Sequence, residues 1–236
     1  MISNIFHALV YDPLYNGLVF LIGIVPAHDV GLAVIGLTIV VRIILFPLAR
    51  RAVDAQLKMR QIAPEVEALK EKYKGNREQQ GKAIFALYRE KDVHPFASML
   101  LLLLQLPILL ALYWIFALGG LPAFDPSLLY SFVAVPPEAN MQFLGFLDMA
   151  GHSVVLGVLA AATQFAYTRL SMGPRETKQG GSFSADLAKS FDLQARYVLP
   201  ATFVILSFFV PNAAMLYIVT SNTFMIGQEF AAGRRF

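Results

Sequence analysis

The sequence predicts an all-α integral membrane protein with five transmembrane helices, a cytoplasmic helical hairpin between the first and the second, and an N-terminal interfacial helix. Three observations support this fold class. Hydrophobic residues make up 57% of the 236 positions and charged residues only 15%. Several apolar runs approach the roughly 20 residues that a helix needs to cross a bilayer. The basic residues fall into segments that five crossings would place on one side of the membrane.

The N-terminal segment, residues 1–29, is apolar but interrupted. Asp12 and Pro13 stand near its beginning and Pro26 near its end. The apolar stretch between them, Leu14 to Val25, is too short to cross a bilayer. We therefore expect a helix that lies in the plane of the outer interface, where tyrosines are favoured. The alternative is a helix that packs only as a collar against the bundle.

The first span covers residues 30–49 and contains Arg42. A cation near the bilayer centre costs roughly 2.5–3.5 kcal/mol on insertion scales, which makes Arg42 a functional-site candidate. Thirteen Val, Ile, Leu or Phe residues between Val30 and Leu48 outweigh this cost at roughly 0.3–0.6 kcal/mol each. The alternative is that Arg42, about 12 Å along the helix from Arg50, extends toward the cytoplasmic headgroups as an anchor.

Residues 50–94 form a strongly polar region, with eleven basic and seven acidic residues between Arg50 and Asp92. Apolar residues recur there at spacings of about three to five, which is the period of an amphipathic helix. Gly75 and Asn76 supply a helix stop and a turn, so two antiparallel helices are expected. Pro64, followed by two glutamates, predicts a kink or a restart in the first of them. The hairpin is either a solvated pair that joins two spans or a docking surface.

The rest of the chain alternates between apolar spans and connections. The apolar region from Tyr197 to Phe230 would measure about 51 Å as one helix, more than a hydrocarbon core of roughly 30 Å. Pro211 near its middle divides it into two spans. The full division is a second span at 95–118, an external connection at 119–151, a third span at 152–170, a cytoplasmic loop at 171–196, a fourth span at 197–210, and a fifth span with a short cytoplasmic tail at 211–236. Aromatic residues in the external connection indicate contact with the headgroup layer.

The distribution of charge supports the five spans independently. Residues before Val30 contain no Lys or Arg, and neither do residues 119–151. Eleven basic residues lie between Arg50 and Lys91, and five between Arg169 and Arg196. Five crossings place all eighteen basic residues other than Arg42 on one side. By the positive-inside rule that side is cytoplasmic, which puts the N-terminus outside and the C-terminus inside.

Polar residues inside the spans are the candidate functional site. Thr38 and Arg42 are four residues apart and therefore share a helix face. The polar residues of the third span are Thr163, Gln164 and Thr168. If the polar faces of the spans converge, they enclose a wet cavity with one positive charge. The residues assigned to it are Arg42, Thr38, Gln164, Tyr217, Ser221, Asn222 and Gln105.

Each of these assignments has an alternative. A hydroxyl or amide within a span commonly bonds a neighbouring helix or its own backbone. For Arg42 the alternative is the anchor described above. The first four spans contain no acidic residue, and only Glu229 near the end of the fifth comes close. An intramembrane cation in such surroundings indicates water or a visiting anion.

No pattern in the sequence predicts an enzyme. The chain has no cysteine, and its four histidines lie in or beside loops without carboxylates at metal-ligand spacing. We therefore expect no catalytic residue, no metal and no cofactor, and no direct nucleic-acid specificity. A small-solute or ion transporter or channel that uses the same polar cavity remains the competing class. A passive assembly chaperone is a third.

Three segments carry a family resemblance that covers nearly the whole chain. The first is Thr38-Ile-Val-Val-Arg42-Ile-Ile-Leu-Phe-Pro47-Leu48, which precedes the charged hairpin. The second is Val93-His-Pro95 leading into Gln105-Leu-Pro107-Ile-Leu-Leu-Ala-Leu-Tyr113. The third is Phe209-Val-Pro211-Asn-Ala-Ala-Met-Leu-Tyr217-Ile-Val-Thr-Ser221-Asn222. They resemble the first core span, the second span and the closing hairpin of the YidC/Oxa/Alb family of membrane protein insertases.

This resemblance implies a hydrophilic groove in the inner leaflet, open to cytoplasm and lipid and closed on the outer side. It implies that nascent membrane proteins and membrane lipids are the partners, that Arg42 is the charge of the groove, and that insertion proceeds alone or with a Sec translocon. It also implies a bacterial cytoplasmic membrane and a chain that functions as a monomer. No ATP site is required for this activity, because partitioning of the client into lipid supplies the free energy.

The chain departs from some relatives at three places. We expect no counterpart of the large external domain and extra first span of some bacterial relatives. The chain ends at Gly233-Arg-Arg-Phe236, without the long basic tail that some relatives use at the ribosome. We therefore expect a ribosome, if it is a partner, to contact the hairpin and the loop at 171–196. In the last span Ile218 follows Tyr217, where some relatives have two adjacent tyrosines.

Overall fold

Helices dominate the computed structural model, which describes residues 5–93, 97–118, 121–172 and 193–231. Helix α1 consists of a π-helical turn, His7–Tyr11, that continues into the α-helical segment Asp12–Ile24. The following helices are α2 (Val30–Gln61), α3 (Ala63–Lys72), α4 (Arg77–Glu90), α5 (Ala97–Tyr113, continued by a π-helical turn at Trp114–Leu118), α6 (Val154–Met172), α7 (Gln194–Val198 as a π-helical turn, then Leu199–Leu206) and α8 (Asn212–Ala231). A small antiparallel hairpin of β1 (Gln142–Phe143) and β2 (Leu147–Asp148) precedes α6.

The chain divides into two units. The first unit comprises Met1–Arg42 and Ile108–Phe236, and the second comprises Ile43–Pro107. Arg42 and the candidate residues of α6 and α8 thus belong to the first unit. The second unit, called the hairpin unit below, contains α3 and α4.

Three helices are long and apolar enough to cross a membrane among the residues that the structure describes. They lie at His7–Ile24, Val30–Arg51 and Val154–Met172, and Gln105–Ala117 is a shorter apolar helix. The closing helix α8 is more polar because it carries Thr220 to Thr223 at its middle, and ten of its twenty residues are buried. Five spans therefore stay a prediction, while the helical membrane character of the chain is clear.

Helix α1 corrects one step of the sequence analysis. The helix continues through Asp12 and Pro13 instead of beginning at Leu14, so the argument that it is too short to cross a bilayer is wrong. The π-helical turn His7–Tyr11 ends two residues before Pro13. Its wider hydrogen-bond spacing accommodates the proline ring, which in a regular α-helix clashes with the carbonyl four residues earlier. The π-helical turn before Pro200 in α7 has the same arrangement.

The first span and the first arm of the predicted hairpin form one continuous helix, because α2 runs from Val30 to Gln61 with Pro47 inside it. The helix is interrupted at Ile62. Helix α3 begins at Ala63 with Pro64 in its first turn, as predicted from the proline. Between α3 and α4 the turn contains Gly75, whose φ of 95° lies in the region that glycine adopts readily. Asn76 caps α4 by accepting a hydrogen bond from the amide of Gln79.

Polar contacts join the two arms of the hairpin unit, in addition to the buried apolar residues Ile62, Leu87 and Val93. Lys91 Nζ lies 3.2 Å from a carboxylate oxygen of Glu65, and Lys58 Nζ lies 3.7 Å from one of Asp92. The Gln80 side chain donates to the carbonyl of Lys70. Since exposed ion pairs contribute at most about 1 kcal/mol each, these contacts position the arms without fixing them strongly.

The last two helices meet at a short turn. Helix α7 ends at Leu206, four residues before the predicted end of the fourth span at 210, and α8 begins at Asn212 after Pro211. The predicted break at Pro211 is therefore present, and residues 207–210 belong to the turn. The cytoplasmic loop predicted at 171–196 lies largely outside the described residues, as does the tail beyond residue 231.

Residues 121–151 connect α5 to α6 and bond the first turns of α2 and α8. We use the name capped end for this connection together with Asp29 and the first turns of α2 and α8 that it bonds. Asp29 is its central residue: its carboxylate accepts from the amides of Gly31 at 2.8 Å and Leu32 at 3.1 Å, which caps α2, and from the amide of Leu144 at 2.8 Å. The amide of Val30 donates to the carbonyl of Asn140. A buried helix end thus has its free amides satisfied.

The same connection follows α1 along its length. The amide of Asp125 donates to the Tyr15 hydroxyl at 2.9 Å. The Asn16 side chain donates to the carbonyl of Leu128 and accepts from the amide of Tyr130. Tyr15 and Asn16 are both buried. Helix α1 is therefore held to residues 125–130 by buried polar groups as well as by apolar packing.

The start of α8 completes the capped end. Its first residue, Asn212, donates through its side chain to the carbonyl of Asp148 at 2.7 Å and through its amide to Gly151 at 2.8 Å. The amide of Ala213 donates to Met149, which is fully buried. The apolar core of the first unit includes Leu18, Ile22, Val30, Val34, Leu112, Ile115, Met149 and Met215.

Substitution at Gly31 tests the contact between the β-hairpin and α2. A Cβ at Gly31 would overlap the ring of Phe143, so we expect Gly31→Ala to lose roughly 1–3 kcal/mol of unfolding free energy, as overpacked sites do. Gly36→Ala on the same helix is the control, because its Cβ would meet Leu21 at an ordinary 3.6 Å. Thermal unfolding in detergent measures both. Equal midpoints would show that Phe143 moves aside without cost.

Candidate functional site: a polar cluster around Arg42

Arg42 lies in the interior of the first unit, with 9% of its surface exposed. Its guanidinium donates to the hydroxyl of Ser221 on α8 through Nε, at 2.8 Å, and through Nη2. Ser221 is fully buried. The bond joins residues 179 positions apart in the chain and so ties the first predicted span to the last. The anchor alternative, with the guanidinium drawn out to the headgroups, does not describe this arrangement.

Helix α8 presents a buried polar face to Arg42. Tyr217 and Ser221 are four residues apart and share one side of the helix, and both are buried. Asn222, next to Ser221, is also buried. A helix with so many polar groups is stable within a membrane only when neighbouring helices cover it. The burial of ten residues of α8 meets that condition.

Thr38 is buried one helical turn from Arg42, on the same face of α2. Its hydroxyl donates to the carbonyl of Val34 in its own helix at 2.6 Å. This is the backbone bond that the sequence analysis gave as the alternative for each hydroxyl in a span. Thr38 therefore lies one turn from Arg42 and donates its hydroxyl proton to the backbone of its own helix, α2.

Helices α6 and α8 are joined by a second polar contact. The Asn222 side chain donates to the hydroxyl of Thr163 at 3.3 Å. One residue further along α6, the Gln164 side chain donates to the hydroxyl of Thr168 at 3.1 Å. Gln164 is half-buried, whereas Thr168 is buried. Gln164 is thus the most accessible of the candidate residues that the first unit contains.

The structure brings most of the candidate residues into the interior of one unit: Arg42, Thr38, Tyr217, Ser221 and Asn222 are buried there, and Gln164 lies on α6, which packs against α8. Gln105 is half-buried on α5 and belongs to the hairpin unit, so its place in the site stays a prediction. Within the described ranges no group of three or more His, Asp or Glu residues could hold a metal ion.

Several polar residues of the structure were not assigned to the site from the sequence. Thr163 and Thr168 were recognised as polar residues of the third span, but one helix alone does not show which hydroxyl faces a partner, and they complete the contacts of Asn222 and Gln164. Arg196, assigned to a loop, is buried at the start of α7. Asn16 and Asn212 hold the capped end together, and asparagine at a helix start or in an apolar helix was the available signal.

Chemically, the cluster offers a positive charge on a rigid support and neutral hydrogen-bonding groups around it. Ser221 is uncharged, so its bond orients the guanidinium and leaves the formal charge in place. Arginine can bind a carboxylate through two parallel hydrogen bonds, which makes it suited to an acidic group. The arrangement predicts a site that attracts acidic side chains.

A comparison with known protein families identifies the family of the chain. The model of a family described as 60Kd inner membrane protein matches residues 21–236, which include every residue of the cluster. The chain belongs to the 60Kd inner membrane protein family. Together with the apolar helices, this membership identifies a multi-pass protein of the bacterial inner membrane.

Relatives within the 60Kd inner membrane protein family carry a common name, membrane protein insertase YidC. The Clostridium tetani protein is 30% identical over 203 residues, which are 86% of this chain and 81% of the relative. A Neisseria meningitidis serogroup C protein is 30% identical over 204 residues, 86% of this chain and 33% of the relative. The Cupriavidus metallidurans protein is 26% identical, over 86% of this chain and 32% of the relative. The chain spans about a third of the length of the last two.

The bond between Arg42 and Ser221 can be tested by removing the hydroxyl. Ser221→Ala should lower the unfolding free energy by roughly 1–2 kcal/mol, because a charged donor loses a buried acceptor. Thr223→Ala on the same helix is the control: the Thr223 hydroxyl donates to Val219 in its own helix and the residue is exposed, so the loss should stay within about 0.5 kcal/mol. Unfolding in mixed detergent micelles measures both. Similar losses would show that the bond contributes nothing specific.

Proposed function

We propose that the protein is a membrane protein insertase that receives hydrophobic segments of nascent membrane proteins in a hydrophilic, positively charged groove and releases them into the bilayer. The groove opens to the cytoplasm and to lipid, and Arg42 is its fixed charge. Membership of the 60Kd inner membrane protein family supports the activity at the level of the family. The observation that carries the proposal is Arg42, buried and oriented by Ser221 inside a membrane-length helix.

The position of Arg42 along α2 supports a groove that reaches only part of the way through the membrane. Arg42 is twelve residues, or about 18 Å, from Val30 at the capped end. That end is bonded by Asp29 and Asn212 to the connection between α5 and α6. A polar cluster deep in the unit and a bonded opposite end favour a cavity with one opening. A solute transporter or channel would need access from both sides.

The topology of the proposal has five spans, with the N-terminus outside and the C-terminus in the cytoplasm. Helix α1 then lies in the plane of the outer interface, although it is long enough to span. Its support is the irregular connection, which bonds α1 at Tyr15 through Asp125, passes near Gly23 at Pro136, and bonds His28 just after the helix through Asn140. Irregular backbone is not stable at membrane depth facing lipid, so the segment of α1 that it follows belongs at the interface.

The groove assists insertion by reducing the cost of moving polar groups. A polar segment that crosses hydrocarbon must shed its water, at several kcal/mol for each unsatisfied group. Hydroxyl and amide groups near Arg42 shorten the dehydrated path, while the charge attracts an acidic residue of the client. The client's apolar helix then partitions into lipid, which supplies the driving free energy, so the chain needs neither ATP nor a cofactor.

The partners of the proposed activity are nascent membrane proteins and membrane lipids. The chain acts as a monomer, alone or with a Sec translocon. The hairpin unit, with its many exposed charges, is the surface proposed for cytoplasmic partners such as a ribosome. Its arms are joined by exposed ion pairs of low energetic value, which suits a surface that adjusts to a partner.

A photo-reactive amino acid at Gln164 tests whether clients enter the site. Gln164 is half-buried beside the polar cluster, so the larger side chain fits there. We expect adducts with a single-span client during its synthesis. Ile24, exposed on α1 at the capped end, is the control and should give lipid adducts. Gel analysis of irradiated translation intermediates measures both. Client adducts at Ile24 and none at Gln164 would refute the proposed site.

Replacement of Arg42 tests the role of the charge. Arg42→Ala should reduce insertion of a client with an acidic N-terminal segment roughly tenfold, as expected when an attraction of about 1.4 kcal/mol is lost. A client with a neutral segment should be affected much less, and Arg42→Lys should retain part of the difference because it keeps the charge. Protease protection of the translocated segment measures insertion. Equal losses for both clients would leave Arg42 a structural residue.

A further inference from the structure

The β-hairpin at the capped end exposes apolar side chains at its turn. Leu144 is 58% exposed and Phe146 74% exposed, while Phe143, the last residue of β1, packs against Gly31. The hairpin thus turns one face toward α2 and leaves two large apolar side chains outside. Turn residues are ordinarily Gly, Asn, Asp or Ser, because these adopt the required backbone angles and tolerate water.

The backbone of Leu144 adds an independent observation. Its φ is 52°, in the left-handed region, and Gly145 follows with a φ of 81°. A leucine in this conformation is disfavoured by roughly 1–2 kcal/mol relative to the right-handed region, whereas Asn or Gly adopts it more easily. The hairpin therefore carries an exposed leucine at a position where the backbone favours a polar residue. An exposed leucine held in a disfavoured backbone conformation points to a contact outside the chain.

The hydrogen bonds of the capped end set the depth of this turn. The amide of Leu144 donates to the carboxylate of Asp29, one residue before the membrane-length helix begins at Val30. The turn is therefore held at the level where α2 enters the membrane. Apolar and aromatic side chains at that level are typical of the boundary between headgroups and hydrocarbon.

The charge and the neighbours of the hairpin favour lipid over a protein partner. Residues 121–151 contain no Lys or Arg and three acidic residues, Asp125, Glu138 and Asp148. Two segments beside the capped end are also apolar and exposed: Val155 in the first turn of α6, and Phe208 and Phe209 in the turn before α8. The hairpin turn thus lies at the same end of the first unit as other exposed apolar side chains.

We infer that Leu144 and Phe146 insert into the lipid headgroup region at the capped end and anchor the hairpin to the bilayer surface. The partner is the lipid surface itself. The anchor holds the capped end at a fixed depth, because the same hairpin is bonded to Asp29 at the start of α2. This inference depends on the membrane position of α2 and is independent of the insertase activity proposed above.

The absence of cysteine from the chain allows a direct depth measurement. Phe146→Cys and Glu138→Cys are each labelled with the fluorophore NBD and reconstituted into liposomes of phosphatidylcholine and phosphatidylglycerol. Glu138 is the control because it is exposed on the same connection and charged. Nitroxide lipids labelled near the headgroup quench a probe in the interface, and a soluble nickel complex quenches a probe in water.

We expect the probe at position 146 to emit at shorter wavelength than the probe at 138, and to be quenched several-fold more by the nitroxide lipid. The soluble nickel complex should show the reverse order. Equal, water-like behaviour of the two probes in liposomes would overturn the inference. Water-like behaviour in liposomes together with shielding in native membranes would overturn it too, and would assign the turn to a protein partner.

A second variant separates the anchor from the fold of the hairpin. Leu144→Asn keeps a residue that accepts the positive φ, so the turn persists while the apolar side chain is lost. The probe at position 146 should then be quenched less by the nitroxide lipid and more by nickel, with no loss of thermal stability in detergent. Unchanged lipid quenching would show that Leu144 takes no part in anchoring.

Discussion

The hydrogen bonds between Arg42 and Ser221 are the interaction on which the interior of the first unit depends. They place a cation where hydrocarbon alone would reject it, and they require α8 to lie against α2. Once α8 is there, its other polar groups need partners of their own, and Asn222 finds one in Thr163 on α6. One charged side chain thus bonds α2 to α8, and a second polar contact bonds α8 to α6.

The two ends of the first unit satisfy their polar groups in different ways. At the capped end nearly every bond involves backbone, with Asp29, Asn16 and Asn212 joining helices to the connection. Around Arg42 the bonds that join different helices are between side chains. Backbone bonds with fixed partners give a rigid structure, whereas side chains can exchange one partner for another at a cost of about 1 kcal/mol per bond. This contrast is consistent with the proposed role of the cluster in receiving client segments.

Much of the fold follows from local sequence signals. Pro64 and Pro211 predict the restart of α3 and the turn before α8, and Gly75 with Asn76 predicts the turn of the hairpin unit. Arg42 is singled out by its apolar surroundings alone. The continuation of α1 through Pro13 could not be predicted, because it depends on a π-helical turn for which the sequence has no clear signal. That Ser221 is the partner of Arg42 could not be predicted either, because a contact between residues 179 positions apart leaves no local sequence pattern.

The separation of these contacts along the chain has a consequence for biosynthesis. During synthesis, the hydrogen-bond partner of Asp29 is added 115 residues after Asp29, and Ser221 is added 179 residues after Arg42. A ribosome therefore delivers the first membrane helix, arginine included, well before either partner exists. During that interval the nascent chain is itself an apolar segment with polar groups that must be inserted into the bilayer. Its own assembly poses the problem that we propose it solves for others, so existing copies in the membrane are natural candidates to receive it.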